Sequence, residues 1–319
     1  MTVSIGICFH RSEPALDVIA RARAAEAQGF DEFWVIEDCF FTAGVSLATA
    51  ALVATERIDV GIGILPVVAR NAAVTAMELA TIAQLAPGRL HAGLGHGVQS
   101  WMQQMNERVA SPLTVLHETF DAVAALLRGE EVTVDGRYVQ LDGVRLDQPP
   151  TIVPQLSAGV RGPKSLEIAG RCADGVILAD FVSAEYVRWV IEQTGRPDHR
   201  ITVFSSMGVG PADSLTEIGV GMRHHLADVA ADAPVSLRMA PFWPEFEAAA
   251  AASSWHEAAL AAPDEWLRQI SASGSPEQAA EYVHGLVDAG ADAVAFFPNP
   301  GDPLVDAAYA AEHLVPLLR

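Results

Sequence analysis

Short apolar runs alternate with amphipathic stretches along almost the whole chain. Residues 3–9, 32–37 (EFWVIE), 58–65 and 90–94 read as strands, and 13–28 (closed by Gly29), 44–55 and 72–86 as helices. Ser111-Pro112 opens a helix that runs to about Gly129. The stretch VTVDGRYVQLDG then carries two alternating runs around Asp135-Gly136, which predicts a hairpin inserted near 130–146. After it the rhythm resumes: VPQLSAG, DGVILAD, ITVFSSMGVG and DAVAFFP as strands, interleaved with the helical stretches GPKSLEIAGR, AEYVRWVIEQTG, SLTEIGVGMRHHLADVA and SPEQAAEYVHGLVDAG, and a last helix to Arg319.

Eight strand candidates of βα type, apolar on both faces, predict a buried parallel sheet and an α/β fold of the closed (β/α)8 TIM-barrel kind, as a single domain over 1–319. An open doubly wound sheet in two domains is the rival. The segment near 230–273 breaks the rhythm with Trp243, Phe246, Trp255 and Trp266 amid Pro and Ala, and reads as a helical insertion before the final βα unit. It either closes over a ligand or packs its aromatics against the barrel wall.

Charge narrows the partners. Lys plus Arg number 20 against 40 Asp plus Glu, a net −20, which repels nucleic-acid backbones and anionic membranes. Cys8, Cys39 and Cys172 are odd in number and share no ligand spacing, and no pair of histidines has metal spacing, so neither a disulfide framework nor a metal site is expected. With no leader-like start and no apolar run of membrane-spanning length, a cytoplasmic protein acting on a small molecule is expected.

In a parallel barrel the ligand-facing positions follow the strands. The turn SAGVRGPKSLEIAGR places glycines before a helix start beside Arg161 and Lys164, the latter the single lysine of the chain. Amides of a helix N-terminus, close backbone approach and two cations suit a phosphate, although a plain βα turn has the same look. In GLGHGVQSW three glycines leave room for a flat ligand, and His96 can bond its polar edge. His91, within its strand, reads as a core residue. Glu37 and Asp38 bring carboxylates to the same strand ends, either for acid–base work or as a helix N-cap or ion pair with Arg70. Cys39, with no base assigned beside it, is a weak candidate nucleophile.

The stretches AEAQGFDEFWVIED, ATERIDVGIGILPVVARNAAVTAMELATIAQLAPGRLHAGLGHG and PQLSAGVRGPKSLEIAGRCADGVIL together resemble the luciferase-like flavin-dependent oxidoreductase superfamily, and within it the branch that uses the deazaflavin coenzyme F420, such as methylene-tetrahydromethanopterin reductases. The resemblance implies a ring at the C-terminal mouth of the barrel, resting on a non-prolyl cis peptide that matches Gly63-Ile64. It implies a polar edge along Gly95, His96 and Gly97, and a phosphate on Gly159, Val160, Arg161, Gly162, Pro163 and Lys164. The dehydrogenases of the branch carry an Asp-His pair where this chain has Asp38-Cys39, and an acidic residue where it has Val98 and Gln99. Asp38, His96 and His10 are left as the candidate catalytic proton donors or acceptors.

The expected function is therefore hydride transfer between bound coenzyme F420 and a small organic substrate. An FMN-dependent luciferase-like monooxygenase, fed reduced flavin by a separate reductase and using dioxygen, is the first alternative; a non-catalytic flavin-binding barrel is the second. A homodimer is the expected assembly by the same resemblance.

Overall fold

The computed structural model describes residues 3–210, 212–299 and 301–319, and the main chain alone at 212–218. Its strands are β1 (Ser4–Phe9), β2 (Glu32–Ile36), β3 (Asp59–Pro66), β4 (Leu90–Gly95), β5 (Val132–Asp135), β6 (Gln140–Val144), β7 (Gln155–Gly159), β8 (Gly175–Leu178), β9 (Arg200–Gly208), β10 (Ala272–Ser273) and β11 (Ala293–Phe297). The parallel strands are hydrogen-bonded in the order β9-β11-β1-β2-β3-β4-β7-β8, and β8 pairs in turn with β9. Eight parallel strands thus close a ring, the (β/α)8 arrangement that the apolar runs predict. The open doubly wound alternative is excluded by that closing pair. The inserted hairpin is present as β5 and β6, antiparallel and separate from the ring.

By its internal contacts the chain divides into two compact units. The first, Cys8–Ile177 with Gln193–Arg200, holds β2, β3, β4, β7, the hairpin and most of β8. Its strand β2 is buried at every position, which is why EFWVI shows no alternation. Helices start where the sequence supplies caps: Asn71 accepts from the N–H groups of Ala73 and Val74 at the head of Ala72–Leu85, and Pro stands at the start of Pro112–Leu127 and Pro163–Cys172. The hairpin is tied to Pro112–Leu127 by Glu118, whose carboxylate accepts from the N–H groups of Arg137, Tyr138 and Val139. Those three bonds hold the Glu118 carboxyl below its ordinary range, outweighing the opposing effect of burial.

The second unit, the residues up to Ile7, Leu178–Glu192 and Ile201–Arg319, contains β9, β11, β10 and the insertion. The insertion is helical, with helices at Val235–Arg238, Trp243–Ala252, Trp255–Leu260 and Asp264–Leu267. Its aromatics build a core of their own: Phe246 is fully buried between Phe242, Trp243, Trp255 and Trp266, with ring centroids 5.5–6.2 Å away. Leu226 of helix Ala212–Val229 joins that cluster. Helix Pro276–Asp288 opens on a complete capping box formed by Ser275 and Gln278.

Two expectations shift. The helix placed at 13–28 begins at Val18, after a single 3-10 turn at Ala15–Asp17 that follows Pro14. A six-residue helix at Gln99–Gln104, too short for a visible period, follows β4 after the turn at 96–98. No helix among the described residues is long and apolar enough to cross a membrane.

Candidate active site

The candidate residues lie within the first unit, at the carboxyl ends of β1, β2, β3, β4 and β7. The ladder between β3 and β4 slips between Ile62 and Leu65, so Gly63 and Ile64 bulge out of register, and the peptide joining them is cis. The bulge sends the Ile64 side chain across the neighbouring strand ends. A methyl group at Gly93, Gly95 or Gly159 would stand 2.9, 2.7 or 2.6 Å from an Ile64 side-chain carbon. Glycine is needed at these positions because a branched side chain lies against bare backbone. The room cleared by Gly95 is thus filled by Ile64 from the protein itself; Ile64 remains half-exposed on its other side, as an apolar step at the strand ends.

Past Gly95 the chain turns through His96 and Gly97, the latter at φ +70°, where a side chain would meet Pro66 and Met102. His96 Nδ1 lies 3.1 Å from the Gly97 carbonyl. A carbonyl only accepts, so Nδ1 carries the proton and Nε2 is left as an acceptor. Gln99 Nε2 donates to the His96 and Gly97 carbonyls and braces the turn.

His10, just beyond β1, has the opposite polarity. Its Nδ1 accepts from the Ser12 main-chain N–H at 3.2 Å and lies 2.7 Å from the Ser12 hydroxyl, which leaves the proton on Nε2. Burial, then the neighbouring Arg11 cation, lower its pKa, with Asp38 acting in the other direction, so the ring is neutral at pH 7. The His10 main-chain N–H donates to buried Glu13, which is itself paired with Arg21 at 2.9 Å.

The two carboxylates after β2 divide. Glu37 accepts from Arg70 and from the Gly44 N–H at the head of helix Gly44–Ala54, while Arg70 also reaches Glu78. The ion pair with Arg70 is present, and the N-cap residue of the helix is Ala43, with Glu37 accepting from the N–H that follows it. Asp38 faces the other way, with Arg11 Nη1 donating to Oδ2 at 2.7 Å and the guanidinium 5.1 Å from the Phe41 ring. Asp38 and His10 are therefore brought together through Arg11, whereas His96 sits on the β4 turn. Cys39 is only half-exposed, and burial followed by Glu37 and Asp38 raises its pKa, so it is a thiol rather than a nucleophilic thiolate. A second cis peptide, Cys39-Phe40, lies here with Phe40 and Phe41 exposed; it has no signal in the sequence.

On β7 the Gly159–Lys164 turn leads into helix Pro163–Cys172. Gly162 is its N-cap in extended geometry with no side chain capping the first turn, and Arg161 and Lys164 are exposed. Val160 is buried, so only its main chain is available to a ligand. An anion here would meet a helix N-terminus and two cations. His91 is the core residue expected, its ring nitrogens 3.1 Å from Asp59 and from Gln155 and its ring stacked on Trp34.

In the second unit, Asp180 and Phe181 after β8 both have positive φ, 60° and 55°. Ser236 of the insertion donates to the Asp180 carbonyl, and His225 stacks on Phe181 at 4.9 Å with Nε2 3.9 Å from Asp180. The His225 ring is half-exposed, and its stacking partner could not be read from sequence. Pro300, beyond the end of β11, lies outside the described residues.

A 5,10-methylenetetrahydromethanopterin reductase of Methanolobus tindarius is 34% identical over 176 residues, which cover 55% of this chain and 54% of that one, so the match spans about half the length of that relative. An F420-dependent hydroxymycolic acid dehydrogenase of Mycobacterium tuberculosis is 26% identical over 339 residues, covering 99% of this chain and 88% of that one. Among solved structures, the coenzyme F420 dependent tetrahydromethanopterin reductase of Methanopyrus kandleri superposes over 100% of both chains with a TM-score of 0.81 at 17% identity, a likeness of fold. The profile of the family described as luciferase-like monooxygenase matches residues 4–293, and the chain belongs to that family.

Proposed function

We propose that the chain is an oxidoreductase that moves a hydride between bound coenzyme F420 and a small organic substrate. The observation that carries the reading is the Ile64 step: a half-exposed apolar side chain held against Gly93, Gly95 and Gly159, one residue from the His96–Gly97 turn and one from the Val160–Lys164 turn. A planar ring with one polar edge and an anionic tail needs those three features together. The full-length similarity to an F420-dependent dehydrogenase supports a deazaflavin in that place.

When bound, a deazaflavin supplies a carbon that gives or takes a hydride, without ready reaction with dioxygen. Ile64 would support the ring, the backbone of Gly95, His96 and Gly97 would line it, and Gly159, Val160, Gly162 and Pro163 would offer main chain to the phosphate beside Arg161 and Lys164. His96 Nε2, an acceptor, takes the substrate proton, and His10 Nε2–H donates a hydrogen bond to the substrate, with Asp38 setting the charge beside it through Arg11. The family match covers residues from both units, which supports reading them as one domain. Exposed Val53, Val74, Met77 and Leu85 on two adjacent helices supply apolar surface for a homodimer, and three free cysteines suit a reducing cytoplasm.

Titration of the purified protein with F420 and with FMN, followed by absorbance and fluorescence, tests the reading. Tight binding of F420 and substrate turnover without dioxygen are expected. Binding of FMN alone, with oxygen consumption that depends on reduced flavin from a separate reductase, overturns it in favour of the monooxygenase reading.

A further inference from the structure

Away from the strand ends, two helices of the first unit bring together three side chains of metal-binding type. His117 and Asp121 are four residues apart on helix Pro112–Leu127 and so share a face; Cys172 is the last residue of helix Pro163–Cys172, which packs against it. One ligand atom from each, an imidazole nitrogen, a carboxylate oxygen and the thiol sulfur, lies within 4.8 Å of the other two. His117 Nδ1 is shielded from solvent, makes no hydrogen bond, and stands 3.5 Å from Asp121 Oδ2. We propose that His117, Asp121 and Cys172 form a binding site for a divalent metal of borderline softness, zinc in the first instance.

Geometry and chemistry point the same way. Tetrahedral zinc with bonds of about 2.0–2.3 Å holds its ligand atoms roughly 3.5 Å apart, so atoms that lie within 4.8 Å of one another need to close by no more than about 1.3 Å, within reach of χ rotations on partly exposed side chains. A thiolate, an imidazole and a carboxylate select zinc or cobalt over magnesium or calcium, which take oxygen ligands. Three protein ligands leave a fourth position to water. In the metal-free protein the thiol donates to the Ile168 carbonyl, and burial followed by the Asp121 carboxylate raises its pKa to about 12. Cys172 is therefore no nucleophile, and metal capture releases its proton to solvent as the sulfur–metal bond forms. The site ties the end of Pro163–Cys172 to Pro112–Leu127, and the start of that same helix carries the Gly159–Lys164 turn. The proposal stands on these three residues and not on the reading of the redox site.

Cobalt titration of the reduced, metal-free protein tests it. One equivalent of Co2+ is expected to bring up a thiolate-to-cobalt charge-transfer band and the visible bands of a four-coordinate ion, and one equivalent of Zn2+ to remove them. Cys172→Ser is expected to abolish the charge-transfer band, and His117→Ala and Asp121→Asn each to weaken binding at least tenfold, while Cys39→Ser leaves it unchanged. The absence of a thiolate band, a band that survives Cys172→Ser, or one indifferent to His117→Ala would each overturn the assignment and leave an ordinary surface ion pair beside a half-buried thiol.

Discussion

A methyl group placed on Gly159 would stand 2.6 Å from Cγ2 of Ile64, closer than such atoms approach. Gly159→Ala and Gly95→Ala therefore displace Ile64, and overpacking of this kind costs about 1–3 kcal/mol. Thermal unfolding is expected to show that loss for both, along with weaker F420 binding. Gly162→Ala is the contrast, since its methyl group meets nothing nearer than 3.9 Å; its stability is expected to stay within about 1 kcal/mol of the parent.

Arg11→Ala removes the cation that, after burial, lowers the pKa of His10, and leaves the Asp38 carboxylate that raises it. The titration of His10, followed by NMR, is expected to move upward. The Arg11–Asp38 pair is partly exposed, at 41% and 27%, so its loss is expected to alter stability by less than about 1 kcal/mol. A downward shift of His10, or a large loss of stability, would contradict the geometry.

His199 is buried, and burial, then Arg196, lower its pKa below the usual 6.5. Below pH 6.5 the unfolded chain takes up a proton that the folded chain refuses, so stability falls as pH drops from 6.5 toward the lowered folded value. His10 acts in the same sense. Midpoints of denaturant unfolding between pH 7.5 and 5 are expected to fall with pH, and His199→Gln to flatten that dependence.

Phe246 is fully buried among four other aromatic rings of the insertion. Phe246→Ala is expected to cost about 3–5 kcal/mol, read as a loss of near-ultraviolet circular dichroism and of hydrogen-exchange protection in helix Trp243–Ala252.

Much of the fold is legible in the chain because buried parallel strands leave apolar runs such as EFWVI and AVAFF, and helix starts carry their own caps at Asn71 and Ser275. The glycines at 93, 95 and 159 mark close approach, but sequence alone cannot say that the approaching atoms belong to Ile64 rather than to a ligand, because the slip between β3 and β4 that turns Ile64 is a tertiary event. Arg11 shows the same limit. Its role depends on bringing β1 beside β2, and no spacing along the chain announces a partner 27 residues away. The Asp121–Cys172 neighbourhood is likewise invisible to ligand spacing, since helix packing and not sequence proximity creates it.

The neighbouring carboxylates after β2 have separate attachments. Glu37 is 11% exposed and moored to Arg70 and to the head of a helix, whereas Asp38, 27% exposed, holds a guanidinium that is itself 41% open to water. The path of the chain is thus nailed down at residue 37 and released one residue later. Loss of Arg11 would therefore bear on Asp38 and leave the Glu37–Arg70 pair, and the helix head that Glu37 holds, in place.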